Sequence, residues 1–224
     1  MKSPTICLVN QSTMPLGVDL TKLAPALQSY INNYVGVLWN FSCNVVTAPK
    51  AGAGEWPLLF LDTPDQPDAL GDHSLLQTPV GKVFVGPTIS ADDSLSSVTS
   101  HELAEMMADP YTNTCIQMFS NNNFWAFEIC DAVEETEFPV DGFQMSNFVY
   151  PAWFLAGNKM GGGTAQYDYM KKCTAPGQLL PGGYISIFTN GKWSQEFGSD
   201  AAKSKHEMQN HPRVIKRHIR NDGG

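Results

Sequence analysis

The chain has 224 residues, of which 42% are hydrophobic and 16% charged, a composition that suits a globular protein with a core that needs no disulfide bonds. Its net charge is −8, and residues 1–199 carry 8 basic and 19 acidic side chains, which argues against nucleic acid as a partner. Five cysteines without a Cys-x-x-Cys pair exclude a cysteine zinc knuckle, and no apolar run has the length of a membrane span.

The first part of the chain predicts short buried strands around one helix. Residues 5–10 form an apolar run typical of a buried strand. Asp19 then predicts the cap of a helix, because apolar side chains recur at helical spacing from there to Tyr34. Three further strands are predicted at 43–48, 56–61 and 82–85.

Residues 64–74 are rich in Pro, Asp and Gly and predict a loop between the third and fourth strands. His73 lies near the end of this segment. It is interpreted as a loop histidine in preference to a metal ligand.

A second helix is predicted over residues 92–108. Asp92 suits the positive end of the helix dipole, and Asp109-Pro110 ends the helix, because the residue before proline disfavours helical backbone angles. At about 100° per residue, His101, Glu102, Glu105 and Asp109 fall within an arc of about 100°.

The rest of the chain is richer in loops. Residues 112–124 are polar, and residues 139–183 are rich in Gly, Pro and aromatic side chains. Asn190-Gly191 between two alternating segments predicts a hairpin. We therefore expect a metal-binding subdomain at 1–135, a β- and loop-rich subdomain at 136–199, and a basic tail at 200–224 that is solvated or docks on an acidic protein partner.

The polar face of the second helix predicts a metal site. His101 and Glu105 are one turn apart, so both can bind one cation, while Glu102 lies beside it, where a general base takes a proton from water. Gathering an imidazole and several carboxylates on one face is electrostatically unfavourable unless a divalent cation binds there.

A third ligand is expected from the segment that follows. Glu128 and Asp131 are three residues apart and would share a face of a helical turn. Glu128 would bind the cation, and Asp131 would orient His101 by accepting a hydrogen bond. Asp131 and Asp109 remain alternative ligands.

The pattern His101-Glu102-x-x-Glu105 followed by Glu128-x-x-Asp131 resembles the glutamate-zincin metallopeptidases, and the string from Ser100 to Pro110 resembles uncharacterised microbial proteins. The resemblance implies an α+β fold: a zincin-like twisted mixed sheet with a backing helix and an active-site helix, followed by the β- and loop-rich portion. It implies Zn²⁺ bound by His101, Glu105 and Glu128. It also implies a peptide or protein substrate that pairs with a sheet edge near 73–85.

The expected function is hydrolysis of a peptide bond by water that zinc activates, with Glu102 as the general base. Glutamate at the position of a second histidine favours harder ions and gives a less Lewis-acidic site. Two alternatives share the metal site: a hydrolase of small esters or amides, and a non-catalytic binding or assembly protein that the metal stabilises. The N-terminal apolar run is too short for a signal peptide, so a cytoplasmic location is the default expectation.

Overall fold

The structure is a computed structural model that describes residues 3–64, 69–117, 123–155 and 166–208. The described residues form both helices and strands, and their largest sheet is mixed, which confirms the predicted α+β class. The chain divides into two compact units, Met1–Thr112 with Glu137–Ser146, and Asn113–Thr136 with Asn147–Gly224. Their limits differ from the expected boundaries at 135 and 199, because the segment Glu137–Ser146 joins the first unit.

The first unit contains both strands and helices. Its described strands are β1 (Thr5–Asn10), β2 (Asn44–Thr47), β3 (Trp56–Leu61), β4 (Gly71–Leu75) and β5 (Pro79–Phe84), and the second unit contributes β6 (Cys115–Gln117) and β7 (Phe124–Ala126). The later strands are β8 (Glu137–Val140), β9 (Phe143–Ser146), β10 (Tyr184–Thr189) and β11 (Lys192–Phe197). The α-helices are α1 (Leu20–Tyr30), α2 (Gly36–Trp39), α3 (Val85–Ser90), α4 (Leu95–Ala108) and α5 (Asp200–Met208).

The main sheet of the first unit has the order β2-β1-β3-β5-β4. Strands β2, β1, β3 and β5 run parallel, whereas β4 is antiparallel to β5 and forms one edge. The apolar residues Ile6 to Val9 of β1 are buried, as are Leu58 and Phe60 of β3, whereas the residues that alternate with these two along β3 are partly exposed. The predicted strands at 5–10, 43–48, 56–61 and 82–85 correspond to β1, β2, β3 and β5.

Two helices of this unit were anticipated, with one error of extent. Helix α1 begins where Asp19 predicts, since its carboxylate accepts a hydrogen bond from the Thr21 N–H at 2.9 Å. Helix α4 begins at Leu95 and not at residue 92. Asp92 has a left-handed φ of 55°, which separates α4 from the short helix α3 and prevents a continuous helix.

The hairpin of β8 and β9 also belongs to the first unit and packs on α4. Ser96 Oγ donates to the Gln144 carbonyl at 2.8 Å, and the Ser146 N–H donates to Ser100 Oγ at 2.8 Å. The sequence prediction missed this hairpin. Asp141-Gly142 at its turn has positive φ at both residues, and Asp-Gly is a known signal for such a turn.

The second unit contains an antiparallel sheet of order β11-β10-β7-β6. Asn190 and Gly191 connect β10 to β11 with φ of 51° and 79°, so the predicted hairpin is confirmed. The predicted basic tail begins with helix α5, and residues 209–224 lie outside the described residues. No helix among the described residues combines the length and apolar character needed to cross a membrane.

Candidate metal centre

Helix α4 is buried along almost its whole length and not only on an apolar face. Every residue from Leu95 to Met107 is buried, and Glu102 and Glu105 are 1% and 0% exposed. Taking a carboxylate out of water is costly unless it gains a cation or strong hydrogen bonds. The helix therefore carries two acidic side chains whose burial has to be offset by a cation or by hydrogen bonds.

The predicted pair on this helix is present. His101 Nε2 lies 3.2 Å from Glu105 Oε1, one helical turn away, and His101 is 7% exposed. The i, i+4 spacing brings the imidazole and the carboxylate to one side of α4, as the sequence predicts. Both side chains offer ligand atoms that suit a divalent transition metal.

A second imidazole approaches the same carboxylate from the sheet. His73 Nδ1 lies 3.7 Å from Glu105 Oε2 and 3.7 Å from Glu102 Oε2. The interpretation of His73 as a loop histidine was wrong, because it lies in the middle of β4 and is 7% exposed. Gly, Asp, His and Ser rarely form strands, so the local sequence gave little signal for β4.

The side chain of Glu102, a residue of α4, is packed tightly against the edge strand β4. A Cβ atom on Gly71 of β4 would lie 2.5 Å from both Cγ and Oε1 of Glu102, a distance that real Cβ contacts essentially never show. Glycine at this position therefore makes room for the carboxylate. The packing restrains the side chain that the sequence predicts to act as a base.

Asp109 does not join the pair on α4. It is 1% exposed and directly follows the helix, where its backbone N–H donates to the Glu105 carbonyl at 2.8 Å. Within the described ranges, Asp109 is in none of the groups of three or more ligand atoms that suit a metal, whereas His73, His101 and Glu105 all occur in such groups. Asp109 as an alternative ligand thus receives no support.

Glu128 and Asp131 belong to the second unit, where both are buried, at 6% and 1% exposure. The prediction that both residues share one helical turn was wrong. A short 3₁₀ turn spans Asp131–Val133, and Glu128 precedes it in irregular backbone. Their roles as ligand and as orienting group stay predictions.

The residues of the first unit offer ligand atoms for a divalent cation. Two ligand atoms bound to one tetrahedral zinc at ~2.0–2.1 Å lie roughly 3.3–3.4 Å apart. The His101–Glu105 separation of 3.2 Å is close to that value, whereas the His73–Glu105 separation is longer, at 3.7 Å, and involves the other carboxylate oxygen. Imidazole and carboxylate are also the ligand types that catalytic zinc sites use.

Comparisons of the chain with protein families, with curated proteins and with solved structures found no match. The resemblance to glutamate-zincins therefore depends on the motif alone. Any conclusion about function therefore has to be drawn from the residues of the site.

Proposed function

We propose that this protein is a zinc-dependent hydrolase, and specifically a metallopeptidase. The observation that carries the proposal is the buried Glu105 carboxylate, which has His101 Nε2 at 3.2 Å and His73 Nδ1 at 3.7 Å. Each imidazole lies beside a different oxygen of this fully buried carboxylate, and Glu105 occurs with each histidine in a separate group of ligand atoms close enough to hold a metal.

His101 and Glu105 are proposed as zinc ligands, with Glu128 as the third, and Asp131 is proposed to orient the His101 ring. Zinc, when bound, lowers the pKa of a water molecule and polarises the scissile carbonyl. The ligand role of Glu128 is taken from its spacing after the helix motif and from its burial, which is unusual for a glutamate that has no task.

Glu102 is proposed as the general base. Glu102 directly follows the proposed ligand His101 on α4, and Gly71 leaves space for its carboxylate. In this role Glu102 takes a proton from the attacking water and transfers it to the leaving amine. A carboxylate that is 1% exposed exchanges few protons with bulk water, which suits a proton carrier.

A peptide substrate is proposed from the resemblance to metallopeptidases and from the place of β4 in the sheet. Strand β4 ends the main sheet and carries His73 at its centre. An extended peptide can add to a sheet edge through main-chain hydrogen bonds, and because Gly71 to Ser74 are buried, such pairing requires this edge to open. We propose that the scissile peptide lies along β4, which brings its carbonyl next to the Glu105 pair.

The test compares the native protein with Glu102→Gln, with zinc supplied and fluorescein-labelled casein and a quenched peptide library as probes. We expect the native protein to cleave peptides. Glu102→Gln should bind zinc equally well but cleave at least about 100-fold more slowly, because a general base contributes that much. Glu196→Gln, which removes an exposed carboxylate of β11, is the control and should match the native protein.

Two results would contradict the proposal. Equal cleavage by Glu102→Gln and native protein would exclude Glu102 as the base. A native protein that holds zinc and cleaves neither probe would not be a peptidase. Hydrolysis of p-nitrophenyl acetate alone would then indicate an esterase, and no hydrolysis at all would favour the non-catalytic binding or assembly protein.

A further inference from the structure

We propose that His73, in place of Glu128, is the third zinc ligand beside His101 and Glu105, so that the edge strand and the helix jointly build the metal site and a fourth position stays open for water. The inference deepens the proposed function and rests on it. His73 supplies a second imidazole, which the helix motif lacks because Glu105 occupies the place that a second histidine would take. The new ligand comes from a strand 28 residues before His101 in the chain.

The distances favour a shared cation over a direct hydrogen bond. His73 Nδ1 lies 3.7 Å from one oxygen of Glu105, which is too long for an N–H···O bond. It is about 0.3 Å longer than the separation of two atoms that bind the same zinc ion, roughly 3.3–3.4 Å. His73 and His101 occur in separate groups of ligand atoms that share Glu105, so binding of both to one zinc requires the rings to turn toward a common position beside this carboxylate. The same nitrogen is 3.7 Å from Glu102 Oε2, so it faces the acidic cluster and not solvent.

Strand β4 holds the imidazole in this position. His73 pairs with Gly81 of β5 in an antiparallel register, and its neighbours Asp72 and Ser74 are also buried. Lys82 of β5 lies 3.7 Å from Asp72, which is paired with it across the two strands. This cross-strand ion pair holds β4 against β5. Because successive side chains of a strand point to opposite faces, His73 lies on the face opposite to Asp72.

The second imidazole also changes which metal the site prefers. One histidine with carboxylates alone favours hard ions such as Ca²⁺, Mg²⁺ or Mn²⁺. Two imidazoles with a glutamate form one of the ligand sets of catalytic zinc. Binding by His73 would therefore give the site a preference for zinc that the helix motif by itself does not give.

The experiment counts imidazole ligands directly. The full chain carries His206, His211 and His218 near its end, so all three are first replaced by Asn to prevent adventitious binding. Zinc affinity is measured by competition with a chelating dye, and X-ray absorption of the zinc-loaded protein gives the number of imidazoles. His73→Ala and His101→Ala are compared with Ser74→Ala, a matched control on the same strand.

We expect two imidazoles in the native protein and one in each histidine variant. Zinc affinity should fall by more than about 100-fold in His73→Ala, beyond the 10–100-fold that loss of a merely orienting group costs. The preference for Zn²⁺ over Mn²⁺ should fall with it, whereas Ser74→Ala should keep both. If His73→Ala fails to fold in chelator, the imidazole count of the native protein alone decides.

The outcomes separate this inference from the proposed function. One imidazole in the native protein, with unchanged affinity in His73→Ala, overturns the role of His73 and leaves the hydrolase proposal standing. Two imidazoles with no hydrolysis of any probe keep the ligand and remove the hydrolase. Absence of stoichiometric zinc in the native protein overturns both.

Discussion

Gly71 and Glu102 lie so close that the strand and the helix leave no space for a side chain between them. A Cβ atom on Gly71 would lie 2.5 Å from both Cγ and Oε1 of Glu102. Gly71 begins β4, and Glu102 lies in the second half of α4, so this contact sets how closely the edge strand approaches the helix. The identity of residue 71 is therefore linked to the position of the proposed base.

Replacing Gly71 with alanine should displace Glu102, β4 or both. Overpacking of this kind costs about 1–3 kcal/mol, which lowers the melting temperature by about 2–12 °C in a protein of this size. We expect peptide cleavage to fall further than stability alone explains, because the base moves. Thermal melting and cleavage rates check this, with Gly52→Ala as the control, since a Cβ there meets only the flexible end of Glu55 at 3.3 Å. Unchanged cleavage in Gly71→Ala would show that Glu102 needs no fixed position.

The sequence predicted the parts of the first unit whose signals are local. Buried strands β1, β3 and β5 are apolar runs, and Asp19 caps α1 through its own side chain. The pair His101 and Glu105 follows from helical spacing alone. Each of these features is determined by residues within a few positions of one another.

The parts that were missed depend on contacts between distant segments. Strand β4 consists of poor strand formers and exists because β5 pairs with it, so His73 could not be assigned to a strand from its neighbours. The acidic residues of α4 looked like a polar face, but β4, β5 and β9 cover the helix. Tertiary packing determines both the existence of β4 and the burial of α4, and neither can be predicted from the periodicity of one sequence.

A second prediction concerns Asp62, which follows β3 and accepts hydrogen bonds from the loop after β1. The Ser12 hydroxyl, followed by the hydroxyl and N–H of Thr13, lowers the pKa of this carboxyl to about 2. A depressed folded pKa means that the stabilisation is fully present above the unfolded value near 3.9 and is lost as pH falls through about 2.

The melting temperature of the native protein should therefore fall between about pH 4 and pH 2, and Asp62→Asn should show a shallower fall over that range. Asp62→Asn should also melt lower than the native protein at neutral pH. Asp141→Asn removes an exposed carboxylate from the β8–β9 turn and controls for net charge. Parallel pH profiles for native protein and Asp62→Asn would contradict the prediction.

A third prediction concerns Asp168, a fully buried carboxylate of the second unit. One oxygen accepts from the Cys173 N–H at 2.7 Å, and the other accepts from Asn147 Nδ2 at 2.8 Å. In Asp168→Asn an amide group would face one of these donors, leaving a buried N–H without an acceptor. We expect a loss of about 1–3 kcal/mol in the free energy of unfolding, measured by urea denaturation.

The thiol of Cys173 gives an independent readout of the same variant. Burial, and then the negative charge of Asp168, raises the pKa of Cys173 to about 12. Removing that charge should lower this pKa and accelerate alkylation of Cys173 by iodoacetamide at pH 9, measured by mass spectrometry of the peptide. Cys43 is the control, because burial alone raises its pKa to about 12. Equal acceleration at both cysteines would indicate general unfolding and not a local charge effect.

The last prediction links the metal to stability through Glu105. A ligand that binds only the folded state adds about 2.7 kcal/mol at one hundred times its dissociation constant. For a chain of this size that corresponds to a rise of about 5–11 °C in melting temperature. We expect zinc to produce this rise in the native protein, and EDTA to reverse it.

Glu105→Gln should remove the zinc-dependent rise while keeping the fold, because glutamine has the same shape but supplies no anionic ligand to the cation. Glu105 is 0% exposed and lies 3.2 Å from His101, so its charge is in the right place to bind zinc together with the imidazole. Glu196→Gln should retain the full rise. A rise in Glu105→Gln equal to that of the native protein would mean that zinc binds elsewhere in the chain.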